Sequence, residues 1–504
     1  MRRSLLLVMV VSLVTAFGTV GWAGPLSSQG PKLASSALSP FGTCTTDVIQ
    51  TGTFYANTEV EPWVDVNPTN PDNIVATWQQ DRWDNGGSRG LVAGVSMDGG
   101  ATWTQVVIPG LSRCSGSETW IRASDPWLSF APNGDLYHIS LSTSGGITAA
   151  GLPDSSMLVS KSTDGGLSWG SPVTLIADRG PSILNDKEAI TADPNDQNGD
   201  TAYAVWDRIT SAGPMPQPTP ETFENAIGFR GPVWFSRTTN GETWEPARMI
   251  FDPGAVDQTI GNQIVVLPTS TGGDLLDFFN LIFNFSNAGG TRGFNVAFLR
   301  SEDQGATWSR TPTIVDKMFR AQVRDPDTNQ ALRTADFNPE VAVDPATGNL
   351  YAVWQDRRFN GRAEVAFTMS TDGGKTWTRT MRINTGSKDA QGFLPQVHVA
   401  SDGTVGVLFY DFRNEVAGTP NTLSTDAWLI HCHPGTQDCA QASSWAETHV
   451  DGPFNAREYP DAGGFFPGDY LGLSAPAAGG GFAALYIKPG GTVNTADALY
   501  ASVG

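Results

Sequence analysis

Four Asp-Arg pairs recur at comparable places along this chain: Asp81-Arg82 in WQQDRW, Asp207-Arg208 in VWDRI, Asp356-Arg357 in WQDRR and, with one residue between, Asp411 and Arg413 in FYDFR. A guanidinium fork binds a carboxylate through two parallel hydrogen bonds and stays charged at any working pH, so arginines at matching places in a repeat could converge on one anionic ligand. Repetition also has a structural reading, because a side-chain pair present in unit after unit is the mark of a repeated tie. Groups able to do proton or nucleophilic work stand at the heads of short apolar runs: Asp125 in DPWLSF, Glu188 in EAITAD, Glu340 in EVAVDP and Asp469-Tyr470 in DYLGLS. Asp125, Glu188, Glu340 and Tyr470 are the catalytic candidates. Arg82, Arg208, Arg357 and Arg413 are the candidates for gripping substrate. Arg457–Tyr470, REYPDAGGFFPGDY, packs further acids and phenols into a Gly/Pro loop that could carry chemistry or cover a central channel.

These residues need elements to hold them, and a repeat supplies the elements. Ser96–Trp103, Ser162–Trp169, Ser301–Trp308 and Ser370–Trp377 share an SxDxGx(T/S)W pattern, and Arg237–Trp244 is a degenerate copy. The tryptophans at 103, 169, 244, 308, 377 and 445 are spaced 66, 75, 64, 69 and 68 apart, a period that suits a four-stranded sheet with loops. Before each motif come two short strand-like runs split by a turn, as in PEVAVDPATGNLYAVWQDRR, then a third strand; a fourth leaves the motif. The first-strand pattern starts at Glu61, Asp125, Glu188, Gln263, Glu340, Gln396 and Asp469, which is seven starts. After Asp469 only three strand-like runs remain, so Asp47–Tyr55 is expected to supply the missing outer strand and close the ring. The expected fold is an all-β propeller of four-stranded antiparallel blades over residues 45–504, with seven blades, or six and an appended sheet as the alternative.

The repeated motif resembles the Asp-box of the sialidase-like propellers. In that resemblance Asp98, Asp164, Asp303 and Asp372 cap turns, and Trp103, Trp169, Trp308 and Trp377 pack between sheets, on the face opposite the active site. It implies an exo-sialidase-like glycoside hydrolase in which an arginine cluster holds the sugar carboxylate and a Tyr or carboxylate pair does nucleophilic and acid/base work. The FRIP sequence of that family has no counterpart; EVEPWVDV stands in its place. A noncatalytic glycan- or protein-binding propeller and a lyase on the same scaffold are the alternatives.

Composition narrows the partners. A formal charge of −20 with no basic run argues against nucleic acid. Met1-Arg2-Arg3, an apolar run and Gly21-Trp22-Ala23 read as a secretory signal over residues 1–23, followed by a Gly/Pro/Ser-rich linker over 24–44. A secreted or periplasmic monomer with no membrane span after cleavage, acting on an extracellular glycan or glycoprotein, is expected. Cys432 and Cys439 can close a small loop, and Cys44 and Cys114 would then form a second disulfide, one of three pairings that four cysteines allow. No metal or cofactor is expected, although the Asp/Asn-rich turn DPNDQNGD (Asp193 to Asp200) could take a structural calcium ion without EF-hand spacing.

Overall fold

The computed structural model describes residues 24–45, 50–148, 150–211, 229–283, 293–387, 389–419 and 421–504. The expected signal segment 1–23 and residues 46–49 lie outside them. Among the described residues there is no α-helix, only strands and short 3-10 turns. Among the described residues no helix is long and apolar enough to cross a membrane.

Consecutive strands pair antiparallel in four-strand meanders. One runs Gln258–Val266, Leu275–Phe283, Gly293–Ser301 and Thr313–Met318; another Glu340–Val343, Leu350–Asp356, Glu364–Ser370 and Met381–Arg382; a third Phe393–Val399, Val405–Asp411, Ser424–Cys432 and Ala446–Asn455. Ile183–Ala192 opens a further meander, widened by the short strand Phe229–Arg230. An eight-stranded sheet divides at a single bridge, Ser88 to Ala123, into the meanders that open with Glu59–Val66 and Arg122–Phe130. The first strand of each meander lies beside the first strand of the next, and Gly472–Ser474 of the last lies beside Glu59–Val66. First strands from every meander line one apolar cavity of about 310 Å³.

The repeated turns lock each meander onto its neighbour. Ser96 and Thr102 hydroxyls donate to Asp98 at 2.8 and 2.6 Å, the Thr102 N–H donates to it at 2.9 Å, and Asp164, Asp303 and Asp372 repeat the pattern. Hydrogen bonds to these exposed carboxylates, from Thr307 and Thr376 first, hold Asp303 and Asp372 down at about 2. At Gly100 the backbone sits at φ 88°, and a Cβ would fall 2.1 Å from the Tyr500 ring, so only glycine lets this turn close onto the last meander. Trp103 packs on Tyr500, Trp308 on Phe235, Trp377 on Phe278 and Trp445 on Phe367, each tryptophan reaching the preceding meander. Trp169 meets His138 within its own meander.

The outer strand of the last meander differs from expectation. Ser28–Leu33 pairs antiparallel with Ala496–Val503, from Ser28 opposite Val503 to Leu33 opposite Leu499, so part of the expected linker 24–44 is a strand. Gln50–Tyr55, the described part of the segment expected there, instead lies by Trp83, where the Tyr55 N–H donates to the Arg82 carbonyl at 2.8 Å. An outer strand pairs along one edge and faces water, so it needs no apolar alternation and tolerates Pro31. That is why composition concealed it.

Disulfides join Cys44 to Cys114 and Cys432 to Cys439, at sequence separations of 70 and 7. Chain entropy makes the longer loop the larger contributor. Replacing Cys44 and Cys114 with serine should lower unfolding free energy by about 4 kcal/mol, against about 2–3 kcal/mol for the Cys432–Cys439 pair. Denaturant unfolding of the two double variants checks that order.

Candidate functional site

Five of the first strands carry a bulge near the head, and the bulge sets which side chains face the centre. Register shifts fall between Val60 and Trp63, Ser124 and Trp127, Asp186 and Ala189, Ile260 and Gln263, and Phe393 and Gln396. At each one a residue takes the left-handed conformation: Glu61 (φ 55°), Asp125 (φ 50°), Lys187 (φ 50°), Gly261 (φ 72°) and Leu394 (φ 49°). Non-glycine residues adopt this conformation at a cost on the order of 1–3 kcal/mol each, which the surrounding structure must hold. Three of them are charged, and they meet.

Lys187 sits among three carboxyl groups. Its ammonium donates to Asp469 Oδ2 at 2.5 Å and to Asp125 Oδ2 at 3.2 Å, and lies 3.9 Å from Glu61 Oε1. Arg333 adds a second cation, 3.1 Å from Asp469 Oδ2. Arg82 donates to Gln79 Oε1 at 2.6 Å, and the Gln79 side-chain amide donates in turn to Glu61. Glu61 is also in hydrogen-bond contact with Asp125 and Asp469. All of these groups are buried. Glu61, Arg82, Asp125, Lys187 and Arg333 line a cavity of about 50 Å³, room for only a few waters. Asp469 supports Lys187 and Arg333 from outside its lining.

The cluster separates its carboxyls by protonation state. Burial, with the charges of Asp125 and Asp469 beside it, pushes Glu61 well above the ordinary glutamate range. Burial acts on Asp125 too, but Lys187 and the Ser124 hydroxyl outweigh it and hold Asp125 below its usual value. Arg333 and Lys187 likewise overcome burial and hold Asp469 far down. Of the three carboxyls, Glu61 is therefore the one that holds its proton most firmly.

Below the cluster the next residue inward on each strand forms a second layer. Trp63 and Trp127 stack with ring centroids 3.3 Å apart, and Tyr470 meets both edge-on. Across from them, Gln263 donates to Glu340, which also bonds Gln396. Burial pushes Glu340 up to about 8. Between the unfolded glutamate value of about 4.3 and that value the folded chain holds a proton the unfolded chain lacks, so this group's stabilisation is lost as pH rises across the window. Glu340→Gln should thus be more stable than wild type near pH 8, by about 2–4 kcal/mol, and equal to it near pH 4.5; thermal unfolding at the two pH values is the check. The buried Gln396 Oε1, otherwise unpartnered, can accept from the new amide.

The residues singled out from sequence are distributed as follows. Asp125 and Arg82 lie in the central cluster. Glu188 is buried beside Asp125 with both carboxylate oxygens unpartnered, and burial, with the Asp125 charge, raises it well above its usual value. It does not line the cavity; Lys187 does, because the bulge puts Lys187 at the place Glu61 and Asp125 hold on their strands. Tyr470 donates to the Pro126 carbonyl at 2.9 Å, which turns its hydroxyl to backbone. Tyr410 and Tyr459 both donate to the Ile487 carbonyl at 2.7 Å and belong to the core.

The four arginines do not converge. Arg208 makes a two-pronged ion pair with Asp178 of the preceding meander, at 2.7 Å for each prong. Arg413 pairs with Asp411 and Glu447 at 2.6 Å. Arg357 is exposed, and Arg358 is the residue that binds Asp356, at 2.9 Å. Of the paired aspartates, Asp207 accepts from Thr259 and Gly261 of the next first strand, so the repeated pair largely ties meanders together. Arg82 alone faces the centre, and its companion Arg333 comes from the connection between Met318 and Glu340, which carries no motif. Glu61 and Lys187 were also missed. The signal for Glu61 was the shared acid-Pro-Trp of EPW and DPW; nothing marked Lys187. In the turn Asp193 to Asp200, Asp196 accepts from backbone N–H groups of Asn198, Asp200 and Thr201, so the turn satisfies its own carboxylate. Among the described residues no group of three or more His, Cys, Asp or Glu is placed to hold a metal ion.

No family model matches the sequence, and no curated protein matches it. Among solved structures the chain is similar to a protein of unknown function from Dyadobacter fermentans, at 14% identity and a TM-score of 0.45 over 95% of this chain and 100% of that one. It is also similar to an alpha-L-arabinanase of Penicillium chrysogenum complexed with arabinobiose, at 14% identity and a TM-score of 0.46 over 76% and 94% of the two chains. A Hadza microbial sialidase is similar at 16% identity and a TM-score of 0.46, over 85% and 76%.

Proposed function

We propose that the protein is a glycoside hydrolase on a seven-bladed propeller, acting on extracellular glycans at the head of the central channel. The blade count is supported by the cyclic adjacency of the first strands and by the cavity they all line. The observation that carries the activity is the pair Glu61 and Asp125, two carboxyls lining one cavity and driven to opposite protonation states. Glycosidic cleavage needs this division, with the two carboxyls parted to about 5 Å or more as the sugar enters between them: the protonated carboxyl gives its proton to the leaving oxygen, and the ionised one activates water or attacks the anomeric carbon. Lys187 holds Asp125 ionised, Asp469 anchors Lys187 and Arg333, and Arg82 with Arg333 favours a sugar bearing a negative group, a sialoside or uronoside. Two disulfides fit an oxidising compartment, extracellular or periplasmic.

A noncatalytic glycan-binding propeller is the second reading, favoured by the structural pairing of Arg208 and Arg413. The test is incubation of the purified chain with a sialylated glycoprotein and with aryl uronosides, pentosides and hexosides, reading free sugar. Release from any of them supports hydrolysis and names the sugar. Binding without release from a folded protein favours the second reading.

A further inference from the structure

A cavity of about 50 Å³ cannot admit a sugar ring, so the way in must open. Two of the arginines that line it pack against the segment Asp461–Gly468, sequence DAGGFFPG. Phe466, fully buried, projects from this segment between two arginines: its ring centroid is 5.0 Å from the Arg82 guanidinium carbon and 4.3 Å from that of Arg333. Its apolar neighbours are Val60 and Ala462, which with it form a satellite cluster apart from the main cores.

The segment is built to move as one piece. Ala462 N–H donates to the Gly464 carbonyl and Phe466 N–H to the Pro460 carbonyl, each at 3.0 Å, while Asp461 Oδ1 accepts from the N–H groups of Gly463 and Gly464 at 3.1 Å. The bonds of Asp461 and Ala462 are internal and survive a rigid swing, while the Phe466 bond ties the segment to Pro460 just before it. Its ties outward include Arg333 N–H to the Phe465 carbonyl at 3.0 Å, Tyr55 O–H to the Asp461 carbonyl at 2.9 Å and a long 3.4 Å bond from Glu61 N–H to the Pro467 carbonyl. Gly468, at φ 132°, ends the segment where a Cβ would fall 2.5 Å from the Glu61 nitrogen, so the chain can pass this closely and pivot there only as glycine.

We propose that Asp461–Gly468 is a flap over the site and Phe466 its plug, withdrawn from between Arg82 and Arg333 when ligand enters. The flap gives the proposed hydrolase its entrance, and its own test needs no substrate. Hydrogen exchange of the full chain should show the backbone amides of residues 462–466 opening at least about 100-fold more readily than those of Trp63–Val66, through local rather than global unfolding. Phe466→Ala should speed the loop amides by a further 10-fold or more and leave the first strands as protected as in wild type. Phe466→Leu, which keeps an apolar plug, should fall between the two. Loop amides that exchange only as slowly as the first strands, in wild type and in Phe466→Leu, would overturn the flap whatever the enzyme assays show. An open loop in a chain that releases no sugar would leave the flap standing and remove the hydrolase.

Discussion

Lys187→Met should destabilise the fold by about 3–5 kcal/mol at neutral pH, because it strips the central cation from three buried carboxyls. Asp125 loses the ammonium that holds it ionised. The pH dependence identifies the mechanism. Asp125 and Asp469 are held below the ordinary aspartate value, so their stabilisation is present above about pH 3.9 and is lost as pH falls below it. The gap between wild type and Lys187→Met should accordingly be widest above about pH 4 and narrow in more acidic buffer. Denaturant midpoints from pH 3 to pH 8 measure it. A gap that stays constant across that range would mean that lost packing, not lost charge, is the cause.

The second large effect concerns the proton donor. Glu61→Gln keeps the shape and the Gln79 contact but has no proton to give, so turnover should fall about 10²–10⁴-fold. The loss should depend on the leaving group. A dinitrophenyl glycoside departs without protonation and should lose little, while a natural sugar leaving group should lose the full factor. Because burial and two neighbouring carboxylates raise Glu61, wild-type activity should persist toward neutral pH and fall on the alkaline side as Glu61 ionises. It should fall on the acid side as Asp125 takes up a proton. The variant should lack the alkaline limb. A loss equal for every leaving group would assign Glu61 to positioning.

Much of this architecture was legible because it repeats. Tryptophans near every seventieth residue mark six meanders and Ser-Asp-Gly turns four of them, since each such turn must meet the preceding meander with a glycine that leaves room for an apolar side chain. The short spacing of Cys432 and Cys439 suggested their loop, but four cysteines allow three pairings and the structure chooses among them. What stayed hidden is physical rather than accidental. Strand periodicity is two, so a bulge that inserts residues at the head of a first strand changes which neighbour faces the centre; Glu188 was read where Lys187 stands. Arg333 reaches the centre from an irregular connection, where spacing carries no register. Arg208 and Arg413 sit in repeated places for a repeated reason, the tying of strands, and a binding site breaks that repetition. The outer strand Ser28–Leu33 lacks a buried face and hence an apolar pattern.

The central claim is that Glu61 and Asp125 divide the labour of glycoside cleavage. Its most direct test is one assay of free-sugar release run in parallel on wild type, Glu61→Gln and Asp125→Asn, each with its folded state checked by thermal unfolding. The account predicts release by wild type and a loss of at least about 10²-fold in each variant on the natural linkage. Release within a few-fold of wild type by either folded variant, or none by wild type from any glycoside tried, would contradict it.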